Sequence, residues 1–261
     1  MFNAVWAYRY FIVSSIKTEF KTRFARSRLG AIWMALHPLA QVLVYALVLS
    51  QIMTAKLPHV ATQYAYPIYI LSGIIGWSLF SEILGKSLNI FIVNANLLKK
   101  ISFPKLALPI IVVGVALVNF TIFLMMMFVV FGFLGHLPLH ALQWLPLLII
   151  LTVMLAIGIG LFLGTINVFV RDIGQFMEVV LNFWFWLTPV VYMVSIVPEK
   201  YHALFMLNPM TGIVMGFQNV LLYDKAPDLN LLVYPGLFAI ISMILAMVVF
   251  FKAREDMMDV L

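Results

Sequence analysis

Long apolar runs alternate with short charged stretches along the chain, and this pattern predicts its elements. Six runs are long enough to cross a hydrocarbon core of roughly 30 Å, which takes about 20 helical residues. Their approximate bounds are 29–53, 68–93, 107–132, 145–170, 176–194 and 231–251, with the fourth and fifth divided at Arg171-Asp172. The sequence lacks the ten-residue alternation of a membrane barrel, so helices are what satisfies the backbone in lipid. The predicted fold class is an all-α integral membrane protein with six transmembrane helices.

Composition agrees with a lipid environment. Hydrophobic residues make up 64% of the chain and charged residues only 10%, whereas a soluble domain carries roughly a quarter charged residues. There are no cysteines, which excludes disulfides, thiolate catalysis and cysteine-bound metals in this chain. We expect no cleaved signal, because a long charged segment precedes the first apolar run and no small-residue cleavage site follows it.

The basic residues predict the orientation in the membrane. Thirteen of the 16 lysines and arginines fall in the N-terminal segment, the stretch between the second and third runs with its flanks, Arg171 and the C-terminal tail. Because cytoplasmic loops carry the excess of cations, this side is cytoplasmic and both termini lie inside. His59, His136, His140 and His202 fall in loops on the other side without a ligand spacing, so we predict no metal site.

The N-terminal segment, 1–28, is too charged to span a membrane. Ile12, Ile16, Phe20 and Phe24 recur every four residues and form one apolar stripe, while the cations occupy other faces. This pattern predicts an amphipathic helix in the membrane interface. It is either a plain surface anchor or a collar that faces a protein partner.

Two charged residues fall inside the second run. Glu82 precedes Lys86 by four residues, the favourable order for an ion pair along a helix. The pair either neutralises itself or faces a transport pathway. Gly85-Lys86-Ser87 resembles the end of a phosphate-binding loop, but Phe80 stands where the leading glycine would be, so we predict no nucleotide site.

Small residues are spaced by four in the fourth run, at Ala156, Gly160 and Gly164. Such a seam lets two helices approach closely. It indicates either packing within one chain or a contact between two copies.

The fifth run is unusually aromatic. Phe183 and Trp186 share one face, Phe185 and Tyr192 share another, and Trp184 faces a third direction. An interfacial aromatic belt explains part of this pattern. The two tryptophans fall near mid-span, however, and aromatic faces with polar edges also suit sugar rings moving past them. The run therefore predicts either a belt or a sugar conduit, with a kink or a loosened turn at Pro189.

The stretch after the fifth run is external by topology but apolar. Its two pieces, about 200–207 and 211–222, are too short to span and are punctuated by prolines at 198, 209 and 227. They predict a re-entrant periplasmic helical hairpin at about 197–227, between spans five and six. The hairpin is either a gate at the outer mouth or a lid packed on the bundle.

Between spans two and three lies a basic island, NANLLKKISFP, at residues 94–104. In a short helix Leu97, Leu98 and Ile101 form an apolar face and the two lysines turn elsewhere, with Pro104 ending the helix. The island is either a plain positive-inside turn or the place where a separate ATPase attaches to a chain that has no nucleotide site.

Four stretches carry a resemblance to a known family: SRLGAIWMALHPL (27–39), NANLLKKISFPK (94–105), NVFVRDIGQF (167–176) and LNPMTGIV (207–214). In this order and topology they are similar to the membrane subunit of ABC-2 type exporters, specifically permeases that export O-antigen and related cell-surface polysaccharides. The resemblance covers essentially the whole chain. It implies a homodimer in the bacterial inner membrane, paired with two copies of a separate ATPase that binds ATP and Mg²⁺. This chain itself is then no enzyme, and it holds no cofactor and no catalytic residue.

The resemblance also implies roles by position in a single transmembrane domain, 29–261. Its coupling helix, at about 94–104, comprises Asn94, Asn96, Leu97, Leu98, Lys99, Lys100, Ile101, Phe103 and Pro104. Its channel at the homodimer interface is lined by Trp33, Tyr45, Phe183, Trp186 and Tyr192. Its periplasmic gate includes Asn208, Pro209 and Phe217. The expected partners are the second copy, the ATPase, a lipid-linked polysaccharide and membrane lipids, but no nucleic acid.

Two alternatives stay open at this point. One is an exporter of the same family for a teichoic-acid-like polymer, a capsule or a small molecule. The other is a membrane enzyme acting on lipid-linked sugars, which needs an acid, base or nucleophile constellation near the interface. The scattered residues Glu178 and His202 provide no such spacing.

Overall fold

The computed structural model describes residues 8–24, 64–100, 107–254 and 256–260, and the short pieces 32–33, 36, 39–40 and 42–44. Most of the first predicted span, with Tyr45, lies outside the described residues, as do Ile101, Phe103 and Pro104. The described α-helices are α1 (Arg9–Phe24), α2 (Ala65–Leu88), α3 (Ile90–Val93), α4 (Ala95–Lys100), α5 (Ala107–Phe133), α6 (Leu145–Phe169), α7 (Asp172–Leu187), α8 (Glu199–Met206), α9 (Pro209–Leu221), α10 (Leu229–Ala253) and α11 (Asp256–Val260). The described residues contain no strand, so the all-α prediction holds there.

Four of the described helices are long and apolar enough to cross a membrane. They are α2, α5, α6 with the 3₁₀ turn that precedes it, and α10, and they have 24, 27, 28 and 25 residues. At about 1.5 Å per residue each exceeds the hydrocarbon thickness. They coincide with the second, third, fourth and sixth predicted spans.

The fifth predicted span has different bounds from those expected. The sequence predicts 176–194, but α7 begins at Asp172 and ends at Leu187 after 16 residues. Thr188 is extended, with φ −104° and ψ 135°, because the proline that follows disfavours helical backbone in the residue before it. Pro189 therefore ends the helix, where the sequence predicted a kink or a loosened turn within it. The predicted division from span four is correct, since α6 stops at Phe169.

The apolar stretch after α7 forms two helices, close to the two predicted pieces. The axes of α8 and α9 are bent by 99° across a short break. Asn208 and Pro209 lie at this corner, where Pro209 occupies the first turn of α9. A proline suits this position because its missing N–H has no partner within the helix.

The core is built around α2. Within the apolar windows of the crossing helices, 78% of residues are buried in α2, against 33% in α5 and 28% in α10. A helix that is apolar on every side is expected at the centre of a bundle. It packs against α5, α6, α7 and α9, and α10 packs on the other side of α6.

The small-residue seam of α6 lies against α2. A Cβ added to Gly160 would stand 2.6 Å from Cβ of Ser87, and one added to Gly164 would collide with the Ser87 carbonyl oxygen. Ala156 is fully buried as well. Of the two alternatives for this seam, the structure supports packing within the chain.

The N-terminal helix packs on α5. Ile12 of its apolar stripe is buried, and Ile16 contacts the α5 backbone where Gly114 leaves room for it. Lys17 and Lys21 are exposed. Part of the stripe predicted to face lipid therefore covers protein.

Candidate functional site

The basic island forms a short helix after two turns in the chain. The α2 helix ends at Leu88, α3 follows after Asn89, and α4 follows after Asn94. The carbonyl of Asn94 accepts hydrogen bonds from the amides of Leu97 and Leu98 at 3.0 and 2.9 Å. Its own side chain donates to the Ile90 carbonyl at 2.8 Å, so the turn between α3 and α4 is fixed from both sides.

The faces of α4 match the amphipathic pattern in the sequence. Leu98 is buried and Leu97 is half-buried, while Asn96 and Lys99 are exposed. The side chain of Lys100 lies outside the described part of the chain. An exposed lysine above a leucine face is a surface that can contact an acidic partner.

A buried asparagine ties this segment to the turn between α6 and α7. Asn167 is 1% exposed, and its amide nitrogen donates to the Leu88 carbonyl at 2.9 Å and to Oδ1 of Asn89 at 3.1 Å. Its Oδ1 accepts from the Gly174 amide at 2.8 Å. The sequence reasoning noted the stretch that contains Asn167 but not its role. The signal in the sequence that could have indicated this role is a lone amide side chain at the end of a long apolar run.

Charged side chains join α1, α2 and α5 on the same side of the bundle. Glu82 and Lys86 form an ion pair at 2.9 Å, which is the self-neutralising alternative of the sequence analysis. Asn119 donates to the same Glu82 oxygen at 2.6 Å, and Lys86 lies 4.0 Å from Glu19. A cavity of about 410 Å³ opens beside them, and its walls include Glu19, Lys86, Asn94, Leu97 and Leu108.

The aromatic side chains of α7 are divided between two faces. Trp184 packs edge-on against Phe80 of α2 with ring centroids 5.1 Å apart, and Phe185 lies 5.6 Å from Trp77. On the other face, Phe183 and Trp186 are 67% and 64% exposed. Phe176 and Val179 extend the same exposed stripe.

The structure brings some of the predicted channel residues together. Phe183 and Trp186 share the free face of α7, and the Tyr192 hydroxyl donates to the Trp186 carbonyl at 2.7 Å. Trp33 is 43% exposed on one of the short described pieces, and Tyr45 is outside them. An apolar groove of about 400 Å³ runs beside Phe183, between α7 and the Leu204 and Phe205 side chains of α8.

Asn208 holds the end of α7 and the corner of the hairpin together. Its Oδ1 accepts from the Met210 amide at 3.0 Å, as a helix cap does, and from Nε1 of Trp184 at 2.8 Å. Its amide nitrogen donates to the Thr188 hydroxyl at 2.8 Å. Three groups, from α7, from the residue directly after it and from α9, therefore meet at one side chain.

The other two predicted gate residues are packing residues in this arrangement. Pro209 is buried at the start of α9. Phe217 is fully buried, and its ring fills the space that Gly76 of α2 leaves and lies 6.2 Å from the ring of Phe120. Their gating role stays a prediction.

The backbone after α7 is bonded to side chains of α2 and α9. The Tyr66 hydroxyl donates to the Val191 carbonyl at 2.7 Å, and the Tyr69 hydroxyl donates to the Tyr192 carbonyl at 2.9 Å. The Gln218 side chain donates to the Pro189 carbonyl at 3.0 Å. None of the three donors was predicted from the sequence, because a polar side chain in an apolar run does not show which backbone carbonyl it will meet.

A histidine and an aspartate side chain join the loop before α6 to the loop after α9. Nδ1 of His140 lies 2.7 Å from Oδ2 of Asp224, and the Ala141 amide donates to Oδ1 at 2.8 Å. Partial burial raises the pKa of Asp224, but these hydrogen bonds outweigh it and the net pKa lies below its usual value. Asp224 also adopts φ +49°, a conformation that aspartate and asparagine tolerate better than most residues.

Comparison with known proteins identifies the family. The model of the ABC-2 type transporter family matches residues 10–222, a range that includes nearly all of α1, the basic island, α7, α8 and α9. The chain belongs to the ABC-2 type transporter family. All four stretches that carry the resemblance in the sequence lie inside this matched region.

Curated relatives of this family member are named for polysaccharide export. The O-antigen export system permease protein of Myxococcus xanthus is 27% identical over 254 residues, which is 97% of this chain and 95% of the relative. The protein of the same name from Klebsiella pneumoniae is 26% identical over 203 residues, covering 77% and 76% of the two chains. The polysialic acid transport protein of Escherichia coli is 20% identical over 243 residues, or 92% of each.

Proposed function

We propose that this chain is the permease subunit of an ATP-driven exporter that moves a lipid-linked polysaccharide of the O-antigen type across the bacterial inner membrane. The supporting observation is the family match together with a full-length relative named as an O-antigen export permease. The chain is multi-pass, and its relatives are named as export permeases and as a transport protein. The capsule alternative remains as a second candidate, because the Escherichia coli relative is named for polysialic acid.

The proposed topology has six spans, both termini in the cytoplasm and a single transmembrane domain over 29–261. The segment 1–28 carries an interface helix whose exposed lysines face headgroups or a partner. The 99° bend between α8 and α9 supports a re-entrant hairpin. The fifth span consists of the short helix α7 continued by turns that are not α-helical.

A second copy is proposed to cover the free face of α7. Phe176, Val179, Phe183 and Trp186 form one exposed apolar stripe. With Trp33, Tyr45 and Tyr192 they would line an aromatic channel between the two copies. Rings of this kind bind sugars through their apolar faces without holding them tightly. Asn208, Pro209 and Phe217 belong to the gate at the outer end.

The segment 94–104 is proposed to seat on a separate ATPase, two copies of which bind ATP and Mg²⁺. Its support is the exposed Lys99 above the buried Leu98, held in place through Asn94 and Asn167. Nucleotide can shift the permease only if the ATPase contacts this segment differently in its two states.

The test is reconstitution of the permease with its ATPase in vesicles loaded with lipid-linked polysaccharide. ATP should drive the polymer across the bilayer, and the double variant Lys99→Glu, Lys100→Glu should insert normally but lower export by about tenfold or more, the size of a typical coupling between sites. Lys252→Glu, an exposed cytoplasmic lysine on α10, is the matched control. Wild-type export by the double variant would disprove the coupling role. No ATP-dependent movement by the wild-type complex would disprove the proposed function itself.

A further inference from the structure

The backbone directly after α7 does not continue the helical hydrogen-bonding pattern, although it lies in a hydrophobic protein. Carbonyls at Pro189, Val191 and Tyr192 have no partner one turn ahead within a helix, and Val190 is fully buried. Unsatisfied carbonyls are costly away from water, so non-helical backbone survives there only where protein supplies donors. The donors are the hydroxyls of Tyr66 and Tyr69 and the amide of Gln218.

The surface of α2 is shaped for this segment. A Cβ added to Gly73 would stand 3.0 Å from both the Val190 carbonyl oxygen and the Gln218 amide nitrogen. One turn further, Gly76 leaves room for the Phe217 ring. The two glycines and two tyrosines of α2 therefore form one seat, which we call the latch seat. It holds the end of α7 and the middle of α9 at once.

The opposite end of α2 carries the coupling segment. From Tyr66 to Leu88 the helix is continuous and mostly buried, and it then leads through Asn89 into α3 and α4. Asn167 bonds the Leu88 carbonyl and so prevents that end from moving alone. A buried helix of 24 residues, about 36 Å long at 1.5 Å per residue, thus connects the island to the latch seat.

We infer that α2 transmits movement of the coupling segment to the outer hairpin, and that Tyr66, Tyr69 and Gln218 are the positioning residues that make this connection. This inference rests on the proposed function. A shift of α2 along its axis moves the hydroxyls of Tyr66 and Tyr69, which pull the segment after Pro189. Asn208 passes that displacement to the hairpin, because it bonds both Trp184 at the end of α7 and Met210 at the start of α9. The path is a chain of direct contacts, along which coupling between distant sites can be carried.

The test uses the absence of cysteine in the chain. A single L204C substitution on the exposed part of α8 accepts a membrane-impermeant maleimide, and its labelling rate reports the hairpin. In the reconstituted complex with its ATPase, trapping with ATP and vanadate should change the wild-type labelling rate by about tenfold. Export of the polymer and hydrolysis of ATP are measured on the same preparations.

The latch variants are Tyr66→Phe with Tyr69→Phe, and separately Gln218→Met. Each nearly keeps the volume of the side chain and removes the group that donates to the backbone carbonyl. We expect ATP hydrolysis to continue, the nucleotide-dependent change in labelling to disappear and export to fall by about tenfold. Gly73→Ala should have the same effect by pushing Val190 away from the seat, which provides a variant that loses no hydrogen bond donor.

The matched controls are Tyr64→Phe, two residues before Tyr66 at the start of α2, and Gly85→Ala, on α2 where an added Cβ meets nothing within 4 Å. Both should keep the wild-type change in labelling. Nucleotide-dependent labelling that persists in the latch variants would overturn the inference. If the wild-type complex exports polymer, this result leaves the proposed function intact. A wild-type complex that neither exports nor responds to ATP overturns both.

Discussion

The indole nitrogen of Trp184 donates a hydrogen bond to the side chain of Asn208 over 2.8 Å. The bond joins two residues 24 positions apart, one near the end of α7 and one at the corner of the hairpin. Because the same oxygen caps α9, the tryptophan and the helix cap depend on each other. The aromatic helix and the outer hairpin therefore behave as one unit.

Asn208→Ala should destabilise the protein by about 2 kcal/mol or more. Loss of a helix cap costs about 1 kcal/mol, and leaving the Trp184 N–H unpaired adds about 1–3 kcal/mol. Thermal unfolding in detergent, followed by tryptophan fluorescence, measures the effect. Asn219→Ala on the same helix is the control, and an equal loss from both variants would contradict the role of Asn208.

Gly164→Ala should destabilise by about 1–3 kcal/mol, because the added methyl group collides with the Ser87 carbonyl and overpacks the contact between α6 and α2. At Gly132 of α5 an added Cβ meets nothing within 4 Å. There the same substitution should be neutral or stabilise by about 0.5–1 kcal/mol, since alanine favours helix. Denaturation of both variants in the same detergent tests the difference, and a tolerated Gly164→Ala would refute the close contact.

Asn167→Leu should weaken the link between the α6–α7 turn and the coupling segment. The amides and carbonyls left without a partner cost about 1–3 kcal/mol each, and hydrogen exchange at 89–98 should become faster. Gln175→Leu, on an exposed position of α7, is the control. Unchanged exchange in the coupling segment of the Asn167 variant would show that the bond to Leu88 does not restrain it.

Trp186→Ala should reduce polymer throughput with little change in stability. Its side chain is largely exposed, and surface substitutions change stability by about 0.5 kcal/mol or less. Trp184→Ala should instead unfold the protein at lower temperature, because truncating a packed tryptophan costs about 3–5 kcal/mol. Transport rate and thermal stability are measured on each variant, with the exposed Phe133→Ala as control. Normal throughput in the Trp186 variant removes that residue from the channel.

Asp224 makes the contact between the loop before α6 and the loop after α9 sensitive to acid. The folded pKa lies below the unfolded value of about 3.9, so the contact contributes fully above that pH and is lost as the pH falls through the folded pKa. Asp224→Asn tolerates the same backbone conformation and should abolish this dependence. The difference in melting temperature between wild type and variant should stay constant from about pH 7 to 5 and shrink below about pH 4. A difference that grows on acidification would contradict the assignment, and Glu199→Gln, an exposed acid on α8, is the control.

Local signals explain what the sequence could predict. The four long crossing helices follow from run length, and the faces of α4 follow from the order of Leu98 and Lys99. The end of α7 did not follow, because the apolar run continues past Pro189 although the helix stops. The donors Tyr66, Tyr69 and Gln218 were missed since each meets a backbone carbonyl 29 to 125 positions away. Asn167 was missed for the same reason, as its partners lie 78 and 79 positions earlier.

The latch seat also constrains the order in which the chain is built into the membrane. During synthesis Tyr66 and Tyr69 emerge before Pro189, but Gln218 emerges 29 residues after it. The Tyr69 hydroxyl can reach the carbonyl of Pro189 beforehand, over 3.4 Å, but the shorter bond from Gln218 forms only after α9 has left the ribosome. The segment after α7 therefore gains its full set of donors only when α9 arrives.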